Sequence, residues 1–557
     1  MILFKQVSIC LNGITDCFFS IGHLVFKRHL MKNNIFLKTL LGLLMLPIVL
    51  FASCGGGSDD DPVPQKPTTP DKPSTEISVK EGNDLYGIIT DQDGKTVSGV
   101  VVTDGYSVAT TDAQGLYQMK RNTAAKFVYY TNPEGYEPDN KGFYQTLSSS
   151  VKRYDFKLGK AMGDDTHFCL LLITDPQVRS DKSMIRFRQE DVPAMKSCIS
   201  SASLPVVGWS LGDDVHEQCP QYEKQMHEIM TGMGIPFFSA IGNHDYFKVN
   251  NSDTEPRSKA EYEKYWGPTW YSFNKGDVHF IALNNVKYSS GVKYDDKGYI
   301  DEAQLNWMRE DLAHVSTSKL VIVGYHIPMT YKSDNPTRDR MLKLLENYPN
   351  RLLMAGHTHY MRHTVASDPI KIEERIHAAG CGAFWWSTIN RDGAPNGFST
   401  YEIKGNQIVS NHWVNAIKDM PDNIRLTRGD FSYGDLSYGL TSDYVVANVW
   451  NWDPWWKVTI SEDGGTPVAM EQSLLHSPKI SSDAWADGYL VGERKRNVTS
   501  FSAYNQHLFL YKLKNPEAKV VVTATDRYGN KYTQSEFTTD YSECKVDGTN
   551  FSPAKRR

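Results

Sequence analysis

Between residues 161 and 390, six apolar runs of strand length alternate with segments whose apolar positions recur every three or four residues. The runs are "HFCLLLIT", "LPVVGWSL", "IPFFSAI", "HFIALNN", "KLVIVGY" and "RLLMA", and "DEAQLNWMREDLAHV" is the clearest helical segment between them. A chain that alternates in this way folds as β-α-β units, because parallel strands need a helical crossover to return to the same edge. Five of the runs stop at residues with metal-ligating side chains. Asp175-Pro176-Gln177 follows the first, Gly212-Asp213-Asp214 the second and Gly242-Asn243-His244-Asp245 the third. His326 follows the fifth, and Gly356-His357-Thr358-His359 the sixth. In open α/β sheets the ligand crevice lies beyond the carboxyl ends of the strands, so these five tips are expected to converge. In an extended strand His357 and His359 would point to the same side.

Taken one at a time, these residues have plainer readings. Asp175 caps a turn before proline, and Asp213 and Asp245 are ordinary loop acids. As an ordered set at successive strand ends they read as a metal site. The order D-x-(H/Q), GD, GNHD, a lone histidine and GHxH resembles the calcineurin-like metallophosphoesterase superfamily over residues 161–390. "WGPTWYSFNKGDVHFIALNN" and "DEAQLNWM" resemble that family's central segment. "GCGAFWWS" and "DGAPNGF" resemble a bacterial lipoprotein subgroup with β domains on both sides of the core.

The resemblance implies a multidomain chain. Its centre would be an α/β metallophosphoesterase fold, a two-sheet αββα sandwich, between an N-terminal transthyretin-like β-sandwich and a C-terminal β-rich domain. It implies two divalent cations (Mn, Zn, Fe or similar), one held by Asp175, Gln177, Asp213 and His359. The other would be held by Asp213, Asn243, His326 and His357, with Asp213 bridging. Cations about 3.5–4 Å apart share and deprotonate a water, and the bridging hydroxide attacks phosphorus in line. His244 would serve the leaving oxygen as proton donor or charge stabiliser, oriented by Asp245. Gln177 departs from the commoner family pattern, which has histidine there. An amide oxygen is a weaker, harder donor, so affinity at that cation is expected to fall.

Residues 83–160 read as a small sandwich, with short β-branched and aromatic runs broken by Asp93-Gly94 and Asp104-Gly105 turns. Residues 391–557 return to strand patterns, with "DYVVANVWNWDPWWKVTI" and "AKVVVTATDRYGNKYTQSEF" the clearest. From Met31, "MKNNIFLKTLLGLLMLPIVLFASC" has the basic, apolar and small-residue regions of a secretory signal over 31–53. Its Ala52-Ser53-Cys54 end resembles a lipobox, which makes Cys54 the lipidation site and residues 1–30 an over-extended start. Residues 54–82 are a Gly-, Pro- and Asp-rich tether, and the "SDDD" within it resembles a surface-export tag. The expected location is the cell envelope, at the outer membrane through the lipid anchor and, where the tag acts, facing outwards.

Formal net charge is only −5 over 557 residues, so nothing points to nucleic acid as a partner. Five cysteines remain after Cys10, Cys17 and Cys54: Cys169, Cys198, Cys219, Cys381 and Cys544. An odd number forms no complete disulfide framework, and no CxxC pair suggests thiolate zinc. Asp214, His216 and Glu217 read as a solvated loop, and Tyr246, Tyr325, Trp385 and Trp386 as packing residues. The sum is a metal-dependent phosphomonoesterase or phosphodiesterase taking a phosphoester substrate. Two alternatives stand beside it. One is a glycan-binding lipoprotein with a degenerate core, its platform the tryptophans at 450, 452, 455 and 456; the other is a nucleotidase.

Overall fold

A computed structural model describes residues 77–540, apart from 140–141, 249–253, 290–292, 295–296, 331–334, 418–419, 434, 478 and 495–504. The signal, Cys54, most of the tether and Cys544 lie outside the described residues. Described residues from Ile77 onwards belong to one compact unit.

The first domain is two four-stranded sheets. Leu85–Thr90 lies between Leu116–Met119 and Phe156–Lys160, with Tyr136–Pro138 at the far edge. Val101–Thr103 and Phe127–Thr131 centre the second sheet, flanked by Val108–Thr110 and Tyr144–Thr146. The Asp104-Gly105 turn joins two of these strands, and the Asp104 carboxylate accepts from the Tyr106 and Ser107 amides.

Two sheets with eleven strands among the described residues form the centre of the middle domain. β1 (His167–Ile173), β2 (Val206–Ser210) and β3 (Phe237–Ser239) run parallel, and β10 (Gly397–Lys404) and β11 (Gln407–Asn415) complete their sheet antiparallel, in the order β3-β2-β1-β10-β11. The second sheet comprises β4 (Tyr271–Lys275), β5 (Val278–Ala282), β6 (Leu320–Gly324), β7 (Arg351–Ala355), β8 (Arg362–Ala366) and β9 (Ile372–Ile376), in the order β4-β5-β6-β7-β9-β8. Beyond residue 390 the chain still contributes to this sheet, since β10 pairs with residues 167–172 of β1.

Strand periodicity explains the layering. Leu170, Leu172, Val207, Trp209 and Phe238 face Phe273, Phe280, Ile322, Leu352 and Met354 between the two sheets. Leu171, Ile173 and Val206 face outwards to Met184, Phe187 and Met195 on the helices Asp181–Gln189 and Asp191–Ser201. On the other side Ile281, Val321, Val323 and Leu353 meet Leu305, Met308 and Leu312 of helix Glu302–Leu312. Asp301 caps that helix by accepting from the Gln304 amide. This is the expected αββα sandwich, and it brings the carboxyl ends of β1, β2, β3, β6 and β7 to one rim.

The C-terminal domain pairs two further four-stranded sheets around Ile424, Leu426, Val445, Ala447, Val458, Ile460, Val520 and Val522. Trp450 and Trp456 are buried there. Trp455 is 45% exposed, with the Arg527 guanidinium 3.8 Å from its ring centre. The four tryptophans therefore do not form one open platform. Among the described residues no helix is long and apolar enough to cross a membrane, and Cys169, Cys198, Cys219 and Cys381 are free thiols.

Candidate metal centre

Five of the seven expected ligands sit in left-handed backbone. Asp175 has φ 53°, Gln177 36°, Asp213 57°, His357 73° and His359 54°. Each such non-glycine residue costs about 1–3 kcal/mol and persists only where its surroundings hold it. Here the loops hold one another. Asp175 Oδ2 accepts from Thr174 Oγ1 at 2.6 Å and from the His357 amide at 2.8 Å. Asp213 Oδ1 accepts from the His244 amide at 2.7 Å. The glycines make this close packing possible. A Cβ on Gly242 would lie 2.2 Å from Asp213 Oδ1, and one on Gly356 1.9 Å from Thr174 Oγ1.

The extended-strand argument for His357 and His359 thus fails in its geometry. Both histidines lie past the end of β7, and the turned loop, not the pleat, aims them inwards. His326 donates Nδ1–H to Leu211 O at 2.9 Å and His359 donates Nδ1–H to Gly382 O at 2.8 Å. Each carbonyl fixes the tautomer that leaves Nε2 facing the centre. His359 Nε2 is 3.3 Å from Asp175 Oδ1, and His326 Nε2 is 3.0 Å from Asp213 Oδ2 and 3.8 Å from Asp175 Oδ1. Asp213, His326 and His357 offer donor atoms within 4.8 Å of one another. Gln177 turns Nε2 towards Asp213 Oδ2 at 2.9 Å, so ligation through its oxygen requires the amide to turn over.

Buried Asn243 makes no hydrogen bond through either Oδ1 or Nδ2, and Asp175 Oδ1 and His326 Nε2 meet only the charged partners just given. Burying unpaired polar atoms is costly, and a cluster of carboxylate, imidazole and amide donors is the set that divalent cations satisfy. The residues present fit such a group. The electrostatics point the same way. Burial pushes Asp213 and Asp175 upwards, but the His326 charge, joined by His244 at Asp213 and by His359 at Asp175, holds both carboxylates below their usual range. Burial works against protonation of His326, yet Asp213 and Asp175 raise it to about 9. His357, buried and beside His326, falls to about 3.

His244 has a different partner from the one expected. Its Nδ1 is hydrogen-bonded to Glu217, its ring stacks on His216 at 5.2 Å, and its Nε2 lies 3.9 Å from Asp213 Oδ2. Asp245 does not orient it. The Asp245 carboxylate is consumed by the backbone amides of Asp213 (2.7 Å), Gly242 (2.8 Å) and Val215 (3.3 Å), so it braces two ligand loops. Burial, with the charges of Asp214 and Asp213, pushes its carboxyl well up. The solvated-loop reading of Asp214, His216 and Glu217 is also corrected. Asp214 is wholly buried, accepts from Ser210 Oγ and Ser239 Oγ, and is raised by burial to about 6. Glu217, expected in a solvated loop, is instead the partner of His244 Nδ1. Its one signal is its place four residues beyond Asp213 in the same loop.

Tyr325 and Tyr246 are packed as expected, the first donating to Glu374 and the second accepting from Asn284. Trp385 is buried, whereas Phe384 is half-buried against His359 and Trp386 is half-buried against Phe384.

Three family models match the chain: the N terminal of calcineurin-like phosphoesterase over 83–161, calcineurin-like phosphoesterase over 205–361, and its C terminal over 374–532. The chain is 29% identical over 120 residues to the human serine/threonine-protein phosphatase CPPED1, which is 21% of this chain and 36% of that relative. It therefore spans about a third of the relative's length. A dimetal phosphatase from Danio rerio is a structural neighbour with 13% identity and TM-score 0.31, covering 45% of this chain and 98% of the other. A 5'-nucleotidase from Candida albicans has 11% identity and TM-score 0.30, covering 45% and 52%. With the β-sandwich, the core and the β-rich C-terminal domain each matched in order, the chain belongs to the calcineurin-like phosphoesterases.

Proposed function

We propose that the rim described above is the catalytic centre of a phosphoesterase at the cell envelope. Asp175, Gln177, Asp213 and His359 would hold one cation, and Asp213, Asn243, His326 and His357 the other. The observation that carries this reading is the cluster of donor atoms of Asp213, His326 and His357 beside a buried Asn243 whose amide makes no hydrogen bond. When bound, such a pair supplies positive charge opposite the phosphoryl oxygens and acidifies the water that attacks phosphorus.

The chain's own residues do the rest. Asp213 Oδ1 is pinned by the His244 amide, which leaves Oδ2 turned to the centre. His244, bonded to Glu217 through Nδ1, keeps Nε2 for the substrate. Burial opposes its charge, but Asp213 and Glu217 hold its pKa above the usual imidazole value and so favour the protonated ring. As the P–O bond breaks, that proton passes from Nε2 to the leaving oxygen, and the ester's alcohol departs neutral. Glu217 stabilises the imidazolium and fixes the ring orientation. Asp245 keeps the Asp213 and Gly242 backbones in place and touches no substrate.

The test is hydrolysis of p-nitrophenyl phosphate and of its bis ester, with Mn²⁺ added and then removed by chelator. Turnover of either that vanishes with chelator and returns with Mn²⁺ supports the proposal. Metal-independent turnover, or none of either ester, contradicts it. The proposed location rests on the sequence around Cys54 alone. Cys54→Ser is expected to leave an unprocessed precursor or a detergent-independent form, and an unaltered membrane fraction would contradict the lipid anchor.

A further inference from the structure

The segment following Cys381 is bent in a way that packing alone does not require. Gly382 has φ 56°, and Phe384 and Trp385, neither of them glycine, follow at φ 58° and 64°. Consecutive left-handed residues with bulky side chains carry strain that the rest of the structure has to hold. Trp385 is the anchor. Its Nε1–H donates to Pro176 O at 2.6 Å, and its carbonyl accepts from Arg186 at 2.8 Å. The Arg186 guanidinium lies 5.2 Å from its ring centre and is itself held by Glu190. The anchored residue is buried, yet its two neighbours are not. Phe384 lies against His359 with ring centres 4.4 Å apart and planes tilted by 32°. Trp386 follows at 5.3 Å from Phe384 with a 44° tilt.

A turn built only to fill the domain junction would bury all three rings and would not need this strain. Here the strained backbone sets the half-buried Phe384 ring against His359, a residue assigned to the metal centre, and the half-buried Trp386 ring against Phe384. We propose that Phe384 and Trp386 form an aromatic subsite for the organic group of the ester, selecting phosphoesters whose alcohol carries a planar aromatic ring over saturated sugar or polyol phosphates. This rests on the reading of the rim as the phosphoesterase centre. Ring-on-ring contact is favourable without any specific hydrogen bond, so it suits nucleobase and aryl groups alike.

The test uses substrate pairs that share the leaving oxygen and differ in the ring. Adenosine 5'-phosphate is compared with ribose 5-phosphate, and benzyl phosphate with cyclohexylmethyl phosphate, on the full chain loaded with Mn²⁺. The expected kcat/KM ratio within at least one pair is about 10 or more in favour of the aromatic member, in line with measured base–aromatic stacking. Trp386→Leu and Phe384→Leu are expected to bring that ratio towards one. Ratios near one in both pairs for the wild type overturn the subsite without recourse to any variant. Equal loss of both members of a pair in the variants also overturns it, because the rings would then only buttress His359. If the wild type hydrolyses neither pair nor p-nitrophenyl phosphate, the phosphoesterase reading has failed first and takes the subsite with it.

Discussion

Glu217 takes the place beside the His244 ring that the position of Asp245 in the sequence suggests for Asp245. Asp245 directly follows His244, but adjacent side chains do not readily face each other, and three backbone amides already occupy its two oxygens. Glu217 reaches His244 from the loop after β2, a pairing set by tertiary structure. Glu217→Gln removes a charge that raises the His244 pKa. The proton donor then loses its proton at lower pH, so the alkaline limb of the kcat/KM profile is expected to move to lower pH; an unmoved limb would contradict the pairing. His326 gives a second pH prediction. Its folded pKa of about 9 lies above the ordinary 6.5, so in metal-free protein it is protonated at pH 7 and must lose that proton to bind a cation. Metal affinity is expected to rise from pH 7 to about 9, and His359, whose pKa Cys381 and Asp175 raise against the effect of burial, adds to that rise, with proton release visible in titration calorimetry. Affinity that is flat over this range would remove His326 from the ligand set.

At the scale of elements, the strands of the core were legible because each is an apolar run closed by glycine and polar residues. The rim was legible because five such runs end in ligand-type side chains. Less legible was how the tips are built. Nothing in "GHTH" states that both histidines are left-handed, since that follows from the contact of Gly356 with Thr174 and Asp175. The turn at Phe384 and Trp385 was hidden for the same reason, as its anchor Pro176 lies about two hundred residues away in sequence. The glycines supply the test. Gly242→Ala places a Cβ 2.4 Å from the Asp213 backbone nitrogen as well as against its carboxylate. It is expected to cost about 1–3 kcal/mol of stability, by analogy with overpacked cores, and to weaken metal binding. Unchanged thermal unfolding would show that the two loops do not need their close approach.

Across the whole molecule, the domains are less separate than the changes of sequence pattern imply. Phe127, Tyr129 and Phe143 of the first sandwich share one apolar cluster with Phe238, Tyr271 and Phe273 of the core. Tyr129 donates to Trp270 O at 2.9 Å, and Trp270 Nε1 donates to Gly105 O at 3.1 Å. Deleting residues 83–160 would expose this surface, so the shortened chain is expected to aggregate or to melt well below the full one. The sheet of the core likewise runs past residue 390, because pairing of β10 with β1 joins residues more than two hundred positions apart and leaves no local mark. The central claim is that Asp213 binds both cations while His244 binds neither. The most direct test is metal content per chain, by elemental analysis after Mn²⁺ loading and dialysis, for wild type, Asp213→Asn and His244→Ala, with turnover of the same samples. Two cations are predicted in the wild type, with the Gln177 site the weaker. Asp213→Asn is predicted to lose both cations and turnover. His244→Ala is predicted to keep two cations, with turnover lower by about 10²–10⁴-fold. A wild type that takes up no stoichiometric metal, or an Asp213→Asn protein that keeps both cations, would contradict the claim.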